Sequence, residues 1–336
     1  MINKKSLINR IWVGALIFIV MAGMIALNIY FPNYVNDDSS DSFVSGRALN
    51  SALVSVLIFL SVLEMRRAFG KERIPDCFSW LLWLYGIGLA VMYSLFGYTG
   101  IIFFTMVVFI AAVVTSLIKN RVDSLIYIAF ILVYPGLFMA TLLYLNRSAS
   151  TRQIVSPELF PFLESDIWSF LGDGRSTNLL PLNAISFAFV FIVSACTDVF
   201  AFFVGSLFGK HKLCPKISPK KTVEGAIGGI FGGIVGSAIV FFLFDFAPES
   251  VFGAQFGLTF SGYGLSTLQI VLTYVIIALG GSVSTQIGDL IASQVKRYCE
   301  IKDYSRILGE HGGIMDRFDG IMITSVLVSF VFMFIY

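Results

Sequence analysis

Long uninterrupted apolar segments dominate the pattern of this chain. Nine of them approach the ~20 residues that a helix needs to cross the hydrocarbon core of a bilayer. Short polar segments separate them, and the third and fourth are divided only by a turn at Gly97 and Tyr98. The pattern therefore predicts an all-α polytopic integral membrane protein. The predicted spans are residues 11–31, 48–65, 77–96, 98–118, 124–145, 184–205, 225–246, 267–292 and 319–336.

The distribution of positive charges predicts how these spans are oriented across the membrane. If the N-terminus is cytoplasmic and the spans alternate, all but four of the 23 lysines and arginines fall in cytoplasmic segments. Cytoplasmic loops of membrane proteins carry this excess. The sequence thus predicts a multi-pass protein of the cell (inner) membrane with its C-terminus outside and with outer loops at 32–47 and 146–183. The four exceptions are Arg47, Arg147, Arg152 and Arg175.

Composition agrees with a membrane location. The chain has 336 residues, of which 57% are hydrophobic and 13% are charged, whereas soluble domains carry about 25% charged residues. A net charge of +2 gives no reason to expect a nucleic-acid partner. The four cysteines are scattered without metal-ligand spacing, which favours free or buried thiols.

The two halves of the chain differ in polarity and in glycine content. Residues 1–183 are predicted to be a transmembrane scaffold, since residues 1–145 have almost no ionisable group inside an apolar run. Residues 184–336 are predicted to be the catalytic region, with cytoplasmic loops at 206–224 and 297–318. Its glycines recur at spacings of three and four residues, which is typical of close helix packing.

Charged residues concentrate between positions 293 and 319 and on the helix just before them. An unpaired carboxylate such as Asp289 in an apolar helix costs at least ~2.5–3.5 kcal/mol, so it needs a cation partner. Asp316 follows in the same dense segment. Carboxylate oxygens without a Cys/His cluster suit Mg²⁺, which takes one or two carboxylates plus substrate phosphates. The alternative is salt bridging to Lys296, Arg297 or Arg317.

A second basic segment, residues 210–225, contains Ser218, Lys220, Lys221 and Thr222 just before an apolar run. It is predicted to begin a helix, whose N-terminal N–H groups attract anions. The segment is therefore a candidate phosphate-binding corner, although contact with anionic lipid headgroups explains its charge equally well. His311, next to two glycines, is a candidate for hydrogen bonding to phosphate or for proton transfer.

The segment from 293 to 319 resembles the signature of the phosphatidate cytidylyltransferases, also called CDP-diacylglycerol synthases. Two upstream stretches also resemble family blocks: Ile217 to Gly225, and Asp198 with Ala201. The resemblance covers about 184–336, with Phe202 and Gly309 as small departures that touch no charge. The signature residues are Ser293, Lys296, Arg297, Lys302, Asp303, His311, Gly312, Gly313, Asp316, Arg317 and Asp319.

The resemblance implies that CTP and phosphatidate react to give CDP-diacylglycerol and pyrophosphate at the cytoplasmic face. It implies a metal centre with Mg²⁺, which K⁺ can share, held by Asp289 and Asp316. It also implies a lateral opening for the membrane lipid substrate, and a homodimer. Phosphate-clamping roles fall on Lys220, Lys221, Lys296, Arg297 and Arg317. Roles in substrate or nucleotide binding fall on Asp198, Ser218, Thr222, Ser293, Lys302 and His311.

Two other classes compete with this interpretation. A CTP-dependent lipid or polyprenol kinase would share basic, glycine-rich inner loops, but not the full signature. An ion-coupled transporter would use Asp198 and Asp289 as coupling carboxylates. A transporter needs ionisable groups near the middle of the membrane, whereas here they gather at one face, and the chain has no evident inverted repeat.

Overall fold

The computed structural model describes residues 4–30, 46–147, 182–246, 266–309 and 312–335. Most of the two expected outer loops, and also His311, lie outside these residues. The helices are α1 (Lys4–Tyr30), α2 (Gly46–Arg73), α3 (Ser79–Lys119), α4 (Ser124–Ile131), α5 (Phe138–Arg147), α6 (Leu182–Ala188), α7 (Ser194–Phe208), α8 (Val223–Phe241), α9 (Thr267–Tyr298) and α10 (Met315–Ile335).

Short irregular elements join some of these helices. A single 3-10 turn, Asp76–Phe78, precedes α3, and π-helical segments connect α4 to α5 (Leu132–Leu137) and α6 to α7 (Phe189–Val193). Two short antiparallel strands, β1 (Lys212–Cys214) and β2 (Ser218–Thr222), form a hairpin between α7 and α8. The architecture is thus helical as predicted, apart from this hairpin.

Five helical stretches in the described part of the chain are long and apolar enough to cross a membrane. They are Asp76–Lys119, Ser124–Asn146, Asn183–Phe208, Val223–Phe244 and Thr267–Tyr298. The first is broken at Gly97, whose φ of 63° and ψ of −147° are not helical. Tyr85 stacks on Phe104 with ring centroids 6.2 Å apart, so the two parts of α3 fold back on each other. The predicted turn at Gly97 is therefore present.

The ends of α9 and α10 lie closer together in sequence than hydropathy suggested. α9 continues to Tyr298, six residues beyond the predicted span, and α10 begins at Met315 rather than at 319. Charged residues ended the apolar windows, but they occupy the last turn of α9 and the first turn of α10 and do not terminate these helices. Lys296 and Arg297 therefore lie on the last turn of α9, and Asp316 lies on the first turn of α10.

The C-terminal helices pack through small residues, as the glycine spacing predicted. A Cβ on Gly232 of α8 would collide with the backbone carbonyl of Cys196 in α7. Between α7, α9 and α10, buried hydroxyls replace apolar contacts: Thr285 Oγ1 lies 2.8 Å from Thr324 Oγ1 and 3.1 Å from Ser194 Oγ. Inside a membrane, close approach and interhelical hydrogen bonds hold helices together.

The N-terminal helices also contact this bundle. Thr141 Oγ1 in α5 lies 2.7 Å from Ser325 Oγ in α10. At the charged end of α9, the Tyr298 hydroxyl lies 2.7 Å from that of Tyr127 in α4, and the Arg73 guanidinium lies 4.6 Å from the Tyr298 ring centroid. The two halves therefore form one packed structure around α10.

Candidate active site

The crossing of α9 and α10 brings acidic side chains together. At the crossing, a Cβ on Gly288 would collide with the backbone carbonyl oxygen of Asp319, so only glycine allows this approach. Asp289 follows Gly288 and is therefore carried next to Asp319. Asp198 of α7 completes the group, because each of these three carboxylates lies within electrostatic range of the other two. We call Asp198, Asp289 and Asp319 the acidic group.

Asp289 is paired with a lysine from the hairpin. Lys221 Nζ in β2 lies 2.6 Å from Asp289 Oδ2, and the Ser293 hydroxyl donates to Asp289 Oδ1 at 3.3 Å. The salt-bridge partners considered from the sequence were Lys296, Arg297 and Arg317, and for Asp289 that expectation is wrong. The partner comes from residues 210–225 because β2 lies against α9. The basic segment at residues 210–225 and the carboxylate of α9, which were predicted separately, are thus in contact.

Asp316 holds the loop between α9 and α10. Its Oδ1 accepts from Lys296 Nζ at 2.8 Å, which is one of the salt bridges considered from the sequence as the alternative to metal binding. Its Oδ2 accepts from the backbone N–H groups of Tyr304 and Gly313, both at 2.9 Å. The side chain is only 5% exposed. Charge-assisted hydrogen bonds of this kind are stronger than neutral ones, so Asp316 fixes the loop as well as contributing charge.

Glu64 of α2 reaches the same loop from the N-terminal half. This residue is fully buried. Its carboxylate accepts from the Ser305 hydroxyl at 2.6 Å and from the backbone N–H groups of Ile314 at 3.0 Å and Met315 at 2.8 Å. It therefore caps the N-terminus of α10, where unsatisfied N–H groups and the helix dipole favour a negative charge. Hydropathy placed Glu64 at the end of a span and gave no sign of this role.

The hairpin leads into the start of α8 as the sequence predicted. The Thr222 hydroxyl accepts from the Gly225 N–H at 3.1 Å, which is an N-cap. Glu224 folds back so that its carboxylate accepts from the Lys210 N–H at 3.1 Å and contacts His211 Nδ1 at 2.6 Å. These bonds fix the hairpin on the helix end. The expected helix start is confirmed, while the paired strands before it were not foreseen.

The remaining predicted site residues lie around this core. Arg297 Nε donates to the backbone carbonyl of Ile217 at 3.2 Å, which ties the hairpin turn to α9. Lys220 is exposed on β2 and Lys302 is exposed after α9, whereas Ser218 is partly buried. Arg317 is exposed on the first turn of α10, and its charge acts on Asp198.

Two tyrosines border the site. The Tyr134 hydroxyl is buried, has no hydrogen-bond partner among the described residues, and lies within electrostatic range of Asp319, Asp289 and Asp316. Tyr304 donates to the Ala292 carbonyl at 3.0 Å, and burial raises the pKa of its phenol far above the ordinary value, so it remains neutral. Tyr134 was not predicted, because one tyrosine in an apolar run carries no signal.

The carboxylates of the site supply oxygen ligands, which suit a hard cation. Three carboxylates repel one another in the acidic group, while Lys221 neutralises only one of them directly. Mg²⁺ prefers oxygen ligands and often takes only one or two carboxylates, with substrate phosphates and water completing its shell. Within the described residues, no group of three or more His, Cys, Asp or Glu side chains is arranged to hold a metal ion by itself. The oxygen donors present are of the kind that Mg²⁺ takes together with phosphate and water.

These features define a polytopic membrane protein whose charged site combines carboxylates with lysines and arginines. A family model described as the cytidylyltransferase family matches residues 42–335. The chain belongs to this family.

Curated relatives carry a more specific description. The phosphatidate cytidylyltransferase of Staphylococcus haemolyticus (strain JCSC1435) is 31% identical over 141 residues, which are 42% of this chain and 46% of that protein. That of Mycobacterium bovis is 38% identical over 147 residues, 44% of this chain and 41% of the relative. That of Brucella abortus biovar 1 is 36% identical over 148 residues, with coverages of 44% and 47%. Each alignment spans less than half the length of the relative.

Proposed function

We propose that this protein is a phosphatidate cytidylyltransferase that converts CTP and phosphatidate into CDP-diacylglycerol and pyrophosphate. One observation carries the proposal: two lysine–carboxylate pairs, Lys221–Asp289 and Lys296–Asp316, lie toward the charged ends of the apolar helices α9 and α10. Such pairs offer cations to phosphates and carboxylates to a metal in one place. The activity named for the curated relatives supports the same assignment.

In this reaction a phosphate oxygen of phosphatidate attacks the α-phosphorus of CTP. A new P–O bond forms, the bond between the α-phosphorus and the bridging oxygen breaks, and pyrophosphate leaves with that oxygen. Catalysis of this kind depends on positioning and on neutralisation of charge, with little covalent work for the protein. Carboxylates gathered beside lysines and arginines meet that requirement.

The position of each site residue suggests its role in the proposed reaction. Lys221 and Lys296 can exchange a carboxylate partner for a substrate phosphate, because each is a flexible point charge. Arg297 and Arg317 add cations at the start of the loop and of α10, and Lys220 and Lys302 add exposed ones. We propose that these cations clamp the phosphates. Ser218, Thr222, Ser293 and His311 orient the nucleotide or lipid, and Asp198 completes the acidic group.

We propose Mg²⁺ as the cofactor, held by Asp289 and Asp316 with K⁺ as an accompanying ion. Mg²⁺ would supply Lewis-acid polarisation of the CTP phosphates. Asp316 already accepts from Lys296 Nζ, so a cation there competes with Lys296 for the carboxylate. Asp319 lies within electrostatic range of Asp289 and adds a further oxygen donor to the set.

The protein's arrangement in the membrane forms part of the proposal. We propose nine spans, a cytoplasmic N-terminus, an external C-terminus and a location in the cell membrane with the active site facing the cytoplasm. The concentration of lysine and arginine in the segments that bear the site supports this orientation. A homodimer is proposed from the family resemblance, and mass photometry in detergent tests it.

Position-specific labels in CTP test the reaction directly. Purified protein is incubated with phosphatidate, Mg²⁺ and either α-³²P- or γ-³²P-labelled CTP, and the lipid is extracted. Cytidylyl transfer moves the α-label into the lipid and the γ-label into pyrophosphate. A CTP-dependent kinase would move the γ-label into its lipid or polyprenol acceptor instead. Absence of label from the lipid in both reactions, with the protein folded, would overturn the cytidylyltransferase assignment.

A further inference from the structure

α2 and α3 enclose a cavity that takes no part in the site described above. Its volume is about 200 Å³, and its lining residues are Phe59, Leu63, Arg66, Arg67 and Trp83. On α2, Leu63 follows Phe59 by four positions, and Arg66 and Arg67 follow Leu63 by three and four, so the four residues lie on one side of the helix. Glu64 points elsewhere, because its buried carboxylate contacts the start of α10. α2 therefore serves the acidic site with one face and this cavity with another.

The cavity is apolar at one end and cationic at the other. Phe59 lies against α3 at Gly86, where an added Cβ would come 3.0 Å from the Phe59 ring. Arg66 and Arg67 lie two turns further along α2, toward its C-terminal end. The lining thus matches a molecule with an apolar part and a negatively charged part.

Arg66 has unused hydrogen-bonding capacity. Its side chain is only 15% exposed, and its Nη2 forms an ion pair with Asp76. Its Nε is buried without a hydrogen-bond partner in the part of the chain that the structure describes. A buried donor left unsatisfied destabilises the fold, and more so when it is charged. An acceptor bound in the cavity would remove that cost.

Neighbouring side chains indicate the depth of the cavity in the bilayer. Trp83 is 51% exposed and Trp80 beside it is similarly exposed. Tryptophans gather at the membrane–water interface, and arginines near helix ends extend their charge toward that level. Val56 and Ile87, one turn deeper on the two helices, are exposed apolar side chains. The cavity therefore opens at headgroup depth, with apolar surface below it.

We propose that this cavity binds an anionic membrane phospholipid, with its phosphate on Arg66 and Arg67 and its acyl chain against Val56 and Ile87. The guanidinium fork matches the geometry of phosphate oxygens. A volume of about 200 Å³ is below the ~300–1,000 Å³ of pockets that enclose a whole ligand. It suits a phosphate and its glycerol while the chains remain in the bilayer. The site goes beyond the proposed function and does not depend on it.

Native mass spectrometry of the delipidated full chain tests the proposal. The probes are phosphatidylglycerol, phosphatidylcholine and inorganic phosphate, none of which is a substrate of the proposed reaction. Phosphatidylglycerol should bind more tightly than phosphatidylcholine. Arg67→Gln should weaken its binding about tenfold, the size expected for a lost charged hydrogen bond. Arg66→Lys, which can still pair with Asp76 but lacks Nε, should weaken it several-fold.

Arg121→Gln is the matched control, because Arg121 is exposed just after the end of α3 and does not line the cavity. Equal binding of the two lipids, or unchanged phosphatidylglycerol binding in both cavity variants, would overturn the proposal. Equal losses in Arg67→Gln and Arg121→Gln would assign the effect to general surface charge and also overturn it. Displacement of phosphatidylglycerol by equimolar inorganic phosphate would identify free phosphate as the occupant instead of lipid.

Discussion

Glu64 in α2 accepts a 2.8 Å hydrogen bond from the backbone N–H of Met315, 251 residues later in the chain. The bond joins the N-terminal half to the first turn of α10, which carries Asp316. A fully buried carboxylate is stable there because the helix N-terminus supplies donors and positive potential. The N-terminal half therefore helps to shape the charged site.

Replacement of Glu64 should reduce activity by loosening the start of α10. Glu64→Ala removes all three bonds to the carboxylate and leaves the Ile314 and Met315 N–H groups unsatisfied, so turnover should fall at least tenfold, with a lower Tm. Glu64→Gln keeps an acceptor and should lose less. The measurements are CTP turnover and thermal unfolding in detergent. Glu72→Gln on the exposed side of the same helix is the control, and an equal effect there would contradict the assigned role.

Asp289→Asn and Asp316→Asn should each lower conversion of CTP by orders of magnitude, while the protein still inserts into the membrane. Each change removes a negative charge that pairs with a lysine and that we propose as a metal ligand. Only Asp316→Asn should also lower the Tm, because Asp316 accepts from the backbone of the loop. Turnover near the wild-type level in either variant would remove that residue from the site.

Tyr134→Phe tests whether the buried hydroxyl serves the reaction. The substitution deletes one oxygen and keeps the ring, so packing against Phe130 and Phe138 should persist. If the hydroxyl binds substrate or bound water, kcat/KM should fall about tenfold with an unchanged Tm. Tyr98→Phe, in a half-exposed ring, is the control. An unchanged kcat/KM in Tyr134→Phe would leave the hydroxyl without a role in the reaction.

Gly288→Ala should separate α9 from α10 at their closest approach. The added Cβ would meet the Asp319 carbonyl, which is backbone and cannot rotate away. We expect a loss of stability above the ~1 kcal/mol typical of point mutants together with loss of turnover. Gly14→Ala in α1, where a Cβ has nothing within 4 Å, should be silent. Normal stability and turnover in Gly288→Ala would show that the crossing tolerates displacement.

Hydropathy and charge predicted the parts of the fold and site that depend on residues close together in sequence. The turn at Gly97 and the helix start near Thr222 each follow from neighbouring residue types. The Lys296–Asp316 pair was one of the alternatives that the dense charged segment offered. The Lys221–Asp289 and Glu64–Met315 contacts were not predicted, since each joins residues far apart in sequence through helix packing. A single carboxylate at the end of an apolar run does not reveal which distant backbone it will meet.

The hairpin between α7 and α8 escaped prediction for a different reason. Strands of three and five residues are too short to show a clear alternation of polar and apolar residues. Two of the five residues of β2 are lysines, which are uncommon in strands. Backbone pairing between β1 and β2 stabilises the hairpin instead. Glu224 also accepts from the Lys210 and His211 N–H groups at the open end of the hairpin. The charge pattern located this segment correctly but not its conformation.

The Glu64 contact has a consequence for biogenesis. Translation delivers α2 to the bilayer long before residues 312–315 leave the ribosome, so the carboxylate must spend that interval without its final donors. A chain truncated before α10 should hold α2 poorly and be degraded quickly. Synthesis of the last helix would then be required before the first helices are stably assembled.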